Sequence, residues 1–444
     1  MDFLENAVLP QSAHHMVLLK YLLALTFLIV LPYFTLLIGS SLLSVYYNSK
    51  SKRSDNTYYS KFSKQLIDLV TFNKSMSFGF GVVPILSAIF CYAQLLHMTD
   101  SGVPQNIFIS LIFFLTGIVL IYTYKYSSHI NDILGKIKDS DEESDIYKLK
   151  AVKLLNKTGK YGLVLLLVSA YLFIGSIELA IDSSRWGEDS SLLGIILSIN
   201  TLTYFLYFIA ASISVTSAVL LYFYFRPNYD WQENDPNYKS FVKKFALTRG
   251  LIATLILPAL IVLNVFVTPA VALNGIVFGS IVIILFIVLL IANLFYLMLK
   301  ESNTKFSSSV IYLFVILFTF LVIKEQAAFS TSTQNQFQKL SANYEEYRVK
   351  LNEELGIETV AVSGEDIFNG RCSACHKFDV KLVGPPYNSV LSKYVGKQDE
   401  LAKFVLNPVK INPDYPVMPN QGLKPNEAKA IAEYILKVYQ ENQN

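Results

Sequence analysis

Residues 276–299 read IVFGSIVIILFIVLLIANLFYLML, and residues 161–180 read YGLVLLLVSAYLFIGSIELA. The first run contains no charged side chain, and the second contains only Glu178, close to its end. A helix that crosses a bilayer needs about 20 mostly apolar residues, because it rises only ~1.5 Å per residue. Both runs reach that length and therefore predict membrane-spanning helices.

Working outward from these runs, the chain changes character once along its 444 residues. Hydrophobic residues make up 53% of the chain and charged residues only 16%, whereas soluble domains are about 25% charged. Long apolar runs are confined to the first 325 residues, and the remainder has the composition of a water-soluble segment. We therefore predict an all-α fold in three parts: a transmembrane helical domain at 1–325, a linker or stalk at 326–359 and a small α-helical domain at 360–444.

Eight apolar runs are long enough to cross a membrane. They cover residues 20–46, 76–98, 106–124, 161–181, 192–225, 250–269, 272–299 and 307–325. Lys and Arg concentrate in the connections after the first, third, fifth and seventh runs, whereas 99–105 and the turn near 270 have none and 182–191 has only Arg185. Cytoplasmic loops are the ones enriched in Lys and Arg. The pattern predicts a multi-pass protein of a bacterial inner membrane, with both termini on the periplasmic side.

The soluble segment contains the string Cys372-Ser373-Ala374-Cys375-His376. C-x-x-C-H is the attachment signature of c-type haem. Two thiols on one helical turn each form a thioether to a haem vinyl group, and the adjacent His binds the iron. The sequence therefore predicts one covalent haem c, held by Cys372 and Cys375, with His376 as a metal ligand.

Two other interpretations of the cysteine pair are weaker. A structural zinc site needs two further ligands at a suitable spacing, and no Cys or His follows His376. A thioredoxin-like redox pair belongs to a βαβ unit, whereas this segment has the pattern of short helices and loops. Nothing in the chain, with its small net charge of +3, indicates nucleic-acid or nucleotide binding.

Residues 360–442 resemble a class I cytochrome c domain. The resemblance rests on Phe368 before the motif, on the string Val383-Gly384-Pro385-Pro386, on Tyr415-Pro416-Val417-Met418-Pro419 and on a last helix at 425–439. It implies that Pro385 packs against the haem on the His side and that Tyr434 crosses Phe368. It also implies that Met418 is the second metal ligand. Met418 is the only Met in the soluble segment, and two flanking prolines suit a rigid ligand loop.

The first two apolar runs resemble, more loosely, the first two helices of subunit I of bd-type quinol oxidases. The resemblance rests on Leu23-Ala24-Leu25-Thr26 through Gly39 and on Phe78-Gly79-Phe80-Gly81-Val82-Val83. The position of that family's first haem-ligand His falls near Val30. The resemblance implies a membrane part without the oxygen-reducing haems that acts as a scaffold. A quinone or a second haem there stays an open alternative, since His14, His15 and His97 lie near the predicted outer face.

These features predict a membrane-anchored, monohaem c-type cytochrome. We expect an electron-transfer subunit of a respiratory or other energy-transducing complex, whose partners are membrane lipid, other subunits and a soluble periplasmic electron carrier. No catalytic residue is predicted. The alternative is a quinol-oxidising subunit that is related to bd-type oxidases and carries a fused cytochrome c domain. The sequence leaves open whether the chain is itself part of an enzyme.

Overall fold

The structure is a computed structural model that describes residues 10–54, 56–71, 73–135, 142–187, 190–226, 235–355 and 363–442. It divides into two compact units, Met1–Leu340 and Ser341–Asn444. In the described residues the regular structure is helical throughout, which confirms the predicted all-α class. The predicted boundary between linker and small domain, at residues 359 and 360, lies outside the described residues.

Ten helices account for most of the first unit. They are α1 (Ala13–Ser51), α2 (Thr57–Val70), α3 (Lys74–Leu95, with a π-helical turn at Phe78–Val82), α4 (Val103–Gly135), α5 (Glu142–Ala180), α6 (Leu192–Leu197), α7 (Ile199–Tyr224), α8 (Pro236–Val267), α9 (Gly275–Lys300) and α10 (Ser307–Ser332). Within the described residues, eight of these are long and apolar enough to cross a membrane, all except α2 and α6. The prediction of eight spans is confirmed.

Apolar side chains lie on the outside of this unit as well as in its core. Phe266, Val282 and Tyr312 are 81%, 66% and 70% exposed, while Leu23 and Phe173 are fully buried. A helix with apolar side chains on all sides is favoured in lipid. In water its outer apolar face would stay exposed to solvent, which is unfavourable. An exposed apolar surface of this kind is what a membrane-spanning helix presents to lipid.

Small residues let the membrane helices approach one another closely. Gly39 on α1 lies against the backbone of Ser212 on α7, so that an added Cβ would come within 2.7 Å of the Ser212 carbonyl carbon. Between α4 and α5, Ser110 Oγ donates a hydrogen bond of 2.8 Å to the carbonyl oxygen of Ser169. Small and hydroxyl-bearing residues are the usual contacts between membrane helices, because lipid offers no hydrophobic drive to bring them together.

Most helices extend beyond the predicted spans, for example Val103–Gly135 against 106–124 and Pro236–Val267 against 250–269. The fifth and eighth runs differ in ways that need a separate account. The fifth run is broken at Ser198, whose hydroxyl caps α7 by accepting a hydrogen bond from the Thr201 amide at 3.2 Å. The eighth span continues beyond residue 325 to Ser332, and its two charged residues, Lys324 and Glu325, lie 2.7 Å from each other within the helix. A second helix, α11 (Gln334–Glu354), then occupies much of the predicted linker.

After α11, the second unit contains four further helices. They are α12 (Gly364–Ile367, continued by a π-helical turn at Phe368–Cys372), α13 (Tyr387–Val390), α14 (Gln398–Leu406) and α15 (Pro425–Glu441). α12 crosses α15 at Gly364, where an added Cβ would meet the Ala430 carbonyl oxygen and lie 2.6 Å from Tyr434 Cβ. The predicted contact between Phe368 and Tyr434 is confirmed, with ring centroids 5.7 Å apart.

Candidate haem-binding site

The two cysteines of the motif lie on one turn at the end of α12. The amides of Cys375 and His376 both donate to the Cys372 carbonyl oxygen, at 3.1 and 2.9 Å. Cys372 is 6% exposed, and this burial raises the pKa of its thiol above the ordinary value, since burial disfavours the charged form. The tight turn places both sulfurs where two groups of one ligand can reach them.

His376 is held by the turn that contains Pro385. Its Nδ1 atom lies 3.0 Å from the Pro385 carbonyl oxygen, and the Gly384 amide donates to the Cys375 carbonyl oxygen at 2.9 Å. A histidine that donates one ring N–H to a backbone carbonyl has its tautomer fixed, and its other ring nitrogen is left as a metal ligand. Nε2 of His376 has no hydrogen-bond partner among the described residues.

Two residues outside the predicted site set lie against the imidazole, and one of them, Gly384, belongs to the string Val383-Gly384-Pro385-Pro386 on which the family resemblance rests. Tyr387 stacks on His376 with ring centroids 5.0 Å apart and an interplanar angle of 12°. Burial raises the pKa of the Tyr387 hydroxyl well above its ordinary value, so this ring stays neutral. Gly384 lies so close that an added Cβ would fall on Cε1 of His376 and 2.7 Å from Nε2. In the sequence, only the positions of Gly384 and Tyr387 next to Pro385 and Pro386 indicated that they lie near His376.

Met418 faces the same space as His376. A cavity of about 490 Å³ is bordered by Cys372, Cys375, His376, Pro385 and Met418. These are the five site residues that the sequence predicts. They border one cavity although Cys372 and Met418 are more than 40 positions apart in the chain. A second cavity, of about 1210 Å³, shares three of them, His376, Pro385 and Met418.

The donor set at the first cavity fits a haem. Two thiols, an imidazole nitrogen and a thioether sulfur border a space whose other borders include Val383, Pro416 and Val417. Cofactor sites are mostly lined by apolar side chains with a few polar groups. In the described part of the chain, no group of three His, Cys, Asp or Glu side chains is arranged to hold a metal ion by itself. His376 and Met418 stay the predicted iron ligands, and both border this cavity.

A third residue that the sequence reasoning missed is Arg371. Its guanidinium donates to the Gln421 carbonyl oxygen at 3.4 Å and lies 3.8 Å from the Glu427 carboxylate. These contacts join the motif to the segment that follows the Met418 loop and to the first turn of α15. An arginine next to a cysteine motif gives no sequence signal for such a contact.

Comparison with known proteins places this site in a family context. The model of the Cytochrome c family matches residues 361–438. Cytochrome c-551 of Pseudomonas denitrificans is 38% identical over 79 residues, which are 17% of this chain and 95% of that protein. Cytochrome c-551 of Azotobacter vinelandii is 35% identical over 78 residues, 17% of this chain and 95% of that protein.

A third relative, cytochrome c-552 of Nitrosomonas europaea, is 33% identical over 70 residues, 15% of this chain and 67% of that protein. No solved structure matches the chain. The family model covers none of the membrane unit, so the resemblance of the first two spans to bd-type oxidases stays a prediction.

Proposed function

We propose that this chain, which belongs to the cytochrome c family through its C-terminal residues, is a membrane-anchored electron-transfer subunit. Its cofactor is covalent haem c, as the family implies, and eight apolar helices anchor it in a membrane. The proposal adds a respiratory complex, a periplasmic position and a soluble carrier as redox partner. The main observation behind the proposal is that both predicted iron ligands and both cysteines border one cavity.

The geometry of the motif residues supports a role for each of them. Cys372 and Cys375, on one helical turn, would hold the haem through thioethers. His376 would hold the iron through Nε2, because its Nδ1 lies against the Pro385 carbonyl oxygen. Tyr387 and Gly384 keep the imidazole from rotating. When bound, the haem iron supplies one-electron exchange between its ferrous and ferric states.

Met418 and Pro385 complete the site. Met418 would provide a thioether ligand, which raises the redox potential relative to a second His. With His376 and Met418 as ligands, the haem would serve electron transfer and not chemistry on a bound molecule. Pro385 borders both cavities together with these ligands, and we propose that it packs against the haem on the His376 side.

Contacts at one end of the membrane unit support the proposed orientation. Lys125, at the third span, lies 3.2 Å from Asp68 on α2, which follows the first span. Gln65 on α2 accepts hydrogen bonds from Tyr224 at the end of the fifth span and Tyr238 at the start of the sixth, at 3.1 and 2.6 Å. The Lys- and Arg-rich connections after spans one, three and five therefore share one end, and we assign that end to the cytoplasm.

The connections that are poor in Lys and Arg lie at the opposite end of the membrane unit. The Gly187 amide donates to the Asp100 carbonyl oxygen at 2.9 Å, joining the second and fourth connections. Asn274, in the sixth connection, donates to Thr331 near the end of the last span at 2.7 Å. The chain leaves the last span at this end, so we place the haem domain on the periplasmic side.

Electron exchange by the full-length protein in nanodiscs tests this function. A reduced soluble c-type cytochrome is mixed with the oxidised protein, and haem absorbance is followed by stopped flow. We expect a rate that rises in proportion to the concentration of the added cytochrome, and a reduced-minus-oxidised spectrum with a single c-type band. Failure to exchange, together with an added b- or d-type signal, would instead support the quinol-oxidising alternative.

A further inference from the structure

One exposed face of α5 changes from basic to apolar along the helix. The face carries, in chain order, Lys153, Lys157, Lys160, Tyr161, Val164 and Val168, all of them exposed. Residues three and four positions apart lie on the same side of a helix. The basic half of this face therefore runs directly into the apolar half, which begins where the fourth predicted span begins, at Tyr161.

These lysines lie at the depth of lipid headgroups. Because a helix rises about 1.5 Å per residue, Lys160 and Lys157 are about 2 and 6 Å outside the apolar run that begins at Tyr161. The headgroup layer is about 5–7 Å thick on each side of the hydrocarbon core. Lys153 is one turn further out, and the long apolar stem of a lysine lets its ammonium reach back toward that layer.

A fourth lysine reaches the same place from another helix. Lys52, which directly follows α1, donates a hydrogen bond to Oδ1 of Asn156 on α5. Lys52 is itself exposed, and Asn156 lies between Lys153 and Lys157 in the chain. Two neighbouring membrane helices thus bring four ammonium groups together. We call Lys52, Lys153, Lys157 and Lys160 the lysine cluster.

The charges of the lysine cluster are not balanced by carboxylates of the described chain. Asp132 pairs with Lys64, and Asp68 lies 3.2 Å from Lys125. Residues 146–177 of α5 contain no Asp or Glu. Among the described residues, no carboxylate lies within ion-pair distance of the cluster. Like charges held close together repel one another, so the cluster favours a bound anion.

We propose that the lysine cluster binds a phospholipid of the cardiolipin class, whose headgroup carries two phosphates. Basic groups between membrane helices at headgroup depth attract anionic headgroups. The cations spread over about 10 Å of α5, from Lys153 to Lys160, and onto α1, and this spread suits two linked phosphates better than one.

The apolar half of the same face distinguishes a lipid from other anions. Val164 and Val168 continue the face into the bilayer at 48% and 36% exposure, and acyl chains attached to the bound headgroup would lie against them. Free phosphate and an acidic protein in the aqueous phase have nothing to place there. Only lipid binding is proposed, and it is independent of the haem ligation and of the electron-transfer role above.

Native mass spectrometry of the full-length protein tests this site. The protein is exchanged into lipid-free detergent and titrated with cardiolipin, phosphatidylglycerol or phosphatidylethanolamine, and bound lipids are counted by mass. We expect one cardiolipin to bind saturably and about tenfold more tightly than phosphatidylglycerol, which has one phosphate. Lys157→Gln with Lys160→Gln should weaken cardiolipin binding about thirtyfold, the contribution of two lysines near a membrane surface.

Matched variants separate this site from general positive charge. Lys244→Gln with Lys300→Gln makes the same charge change at exposed lysines of α8 and α9 and should bind cardiolipin like the unmodified protein. Lys157→Arg with Lys160→Arg keeps the charges and should retain binding. All three variants should unfold at the temperature of the unmodified protein in lipid-free detergent, because the changed side chains are exposed.

Two results would overturn the proposal. One is equal weakening of cardiolipin binding in the two glutamine variants, which would show that only overall charge matters. The other is phosphatidylglycerol binding as tight as cardiolipin binding, which would show that the cluster does not select two linked phosphates. Neither result bears on haem attachment, which is measured separately in the same samples by the mass of the protein.

Discussion

The Nδ1 atom of His376 lies 3.0 Å from the carbonyl oxygen of Pro385. This contact assigns the ring proton to Nδ1, because a carbonyl oxygen can only accept. Nε2 is then the nitrogen that we propose would bind iron. The turn that carries Pro385 thus orients the His376 ring.

Substitution of Gly384 tests how closely this turn fits the imidazole. In Gly384→Ala the new methyl group would fall on Cε1 of His376 and 2.7 Å from Nε2, so the ring must move away from its position. We expect the haem to stay covalently attached while the bond from His376 to iron weakens. The ferrous protein should then bind carbon monoxide in most molecules, measured by absorption spectroscopy.

Gly370→Ala is the matched control, because an added Cβ there meets nothing within 4 Å. That variant should bind carbon monoxide no better than the unmodified protein. Equal spectra for the two alanine variants would show that the imidazole is not confined by Gly384.

Replacement of Met418 tests the second iron ligand. In Met418→His the thioether is exchanged for an imidazole, and His/His ligation lies at lower potential than His/Met ligation. We expect a midpoint potential lower by on the order of 0.1 V, a fraction of the ~0.8 V over which axial ligands tune haem. Spectroelectrochemical titration of the full chain measures it.

Pro413→Ala, at an exposed position of the same loop that borders neither cavity, should leave the midpoint potential within experimental error. An unchanged potential in Met418→His would mean that another group, or none, occupies the second axial position.

The buried pair of Arg185 and Glu178 predicts a stability effect in the membrane unit. The Glu178 side chain is 2% exposed and its carboxylate lies 2.8 Å from Arg185, with further hydrogen bonds from Asn200 and Thr201 at 3.2 and 3.3 Å. Arg185→Gln leaves a buried charge without its partner, which costs about 3–5 kcal/mol. Thermal unfolding in detergent should show a clearly lower transition temperature.

The double variant Glu178→Gln with Arg185→Gln removes both charges and should recover much of the lost stability. Lys148→Gln, at an exposed site on the same helix as Glu178, should have little effect. A double variant that is less stable than Arg185→Gln would contradict this account of the pair.

The parts of the structure that follow from local sequence were predictable. The membrane helices follow from uninterrupted apolar length, and the haem motif follows from spacing within five residues. The contact of Phe368 with Tyr434 was predictable only through family resemblance, because its partners are more than 60 residues apart.

Features that depend on a distant neighbour were not predictable in the same way. Hydropathy does not register the break at Ser198, since one hydroxyl that caps a helix changes the average very little. The charges of Lys324 and Glu325 suggested the end of a span, but the helix continues past them to Ser332, and the two charges pair with each other. The unpaired amide oxygen of Asn264 is visible only once the helices around it are assembled.

Covalent attachment of haem through Cys372 and Cys375 is measured most directly by peroxidase staining of a denaturing gel. The unmodified chain should stain at its full mass, Cys372→Ser with Cys375→Ser should lose the stain, and Cys91→Ala, which changes the buried cysteine of α3, should keep it. Absence of stain from the unmodified chain, or equal staining of the double serine variant, would contradict the account.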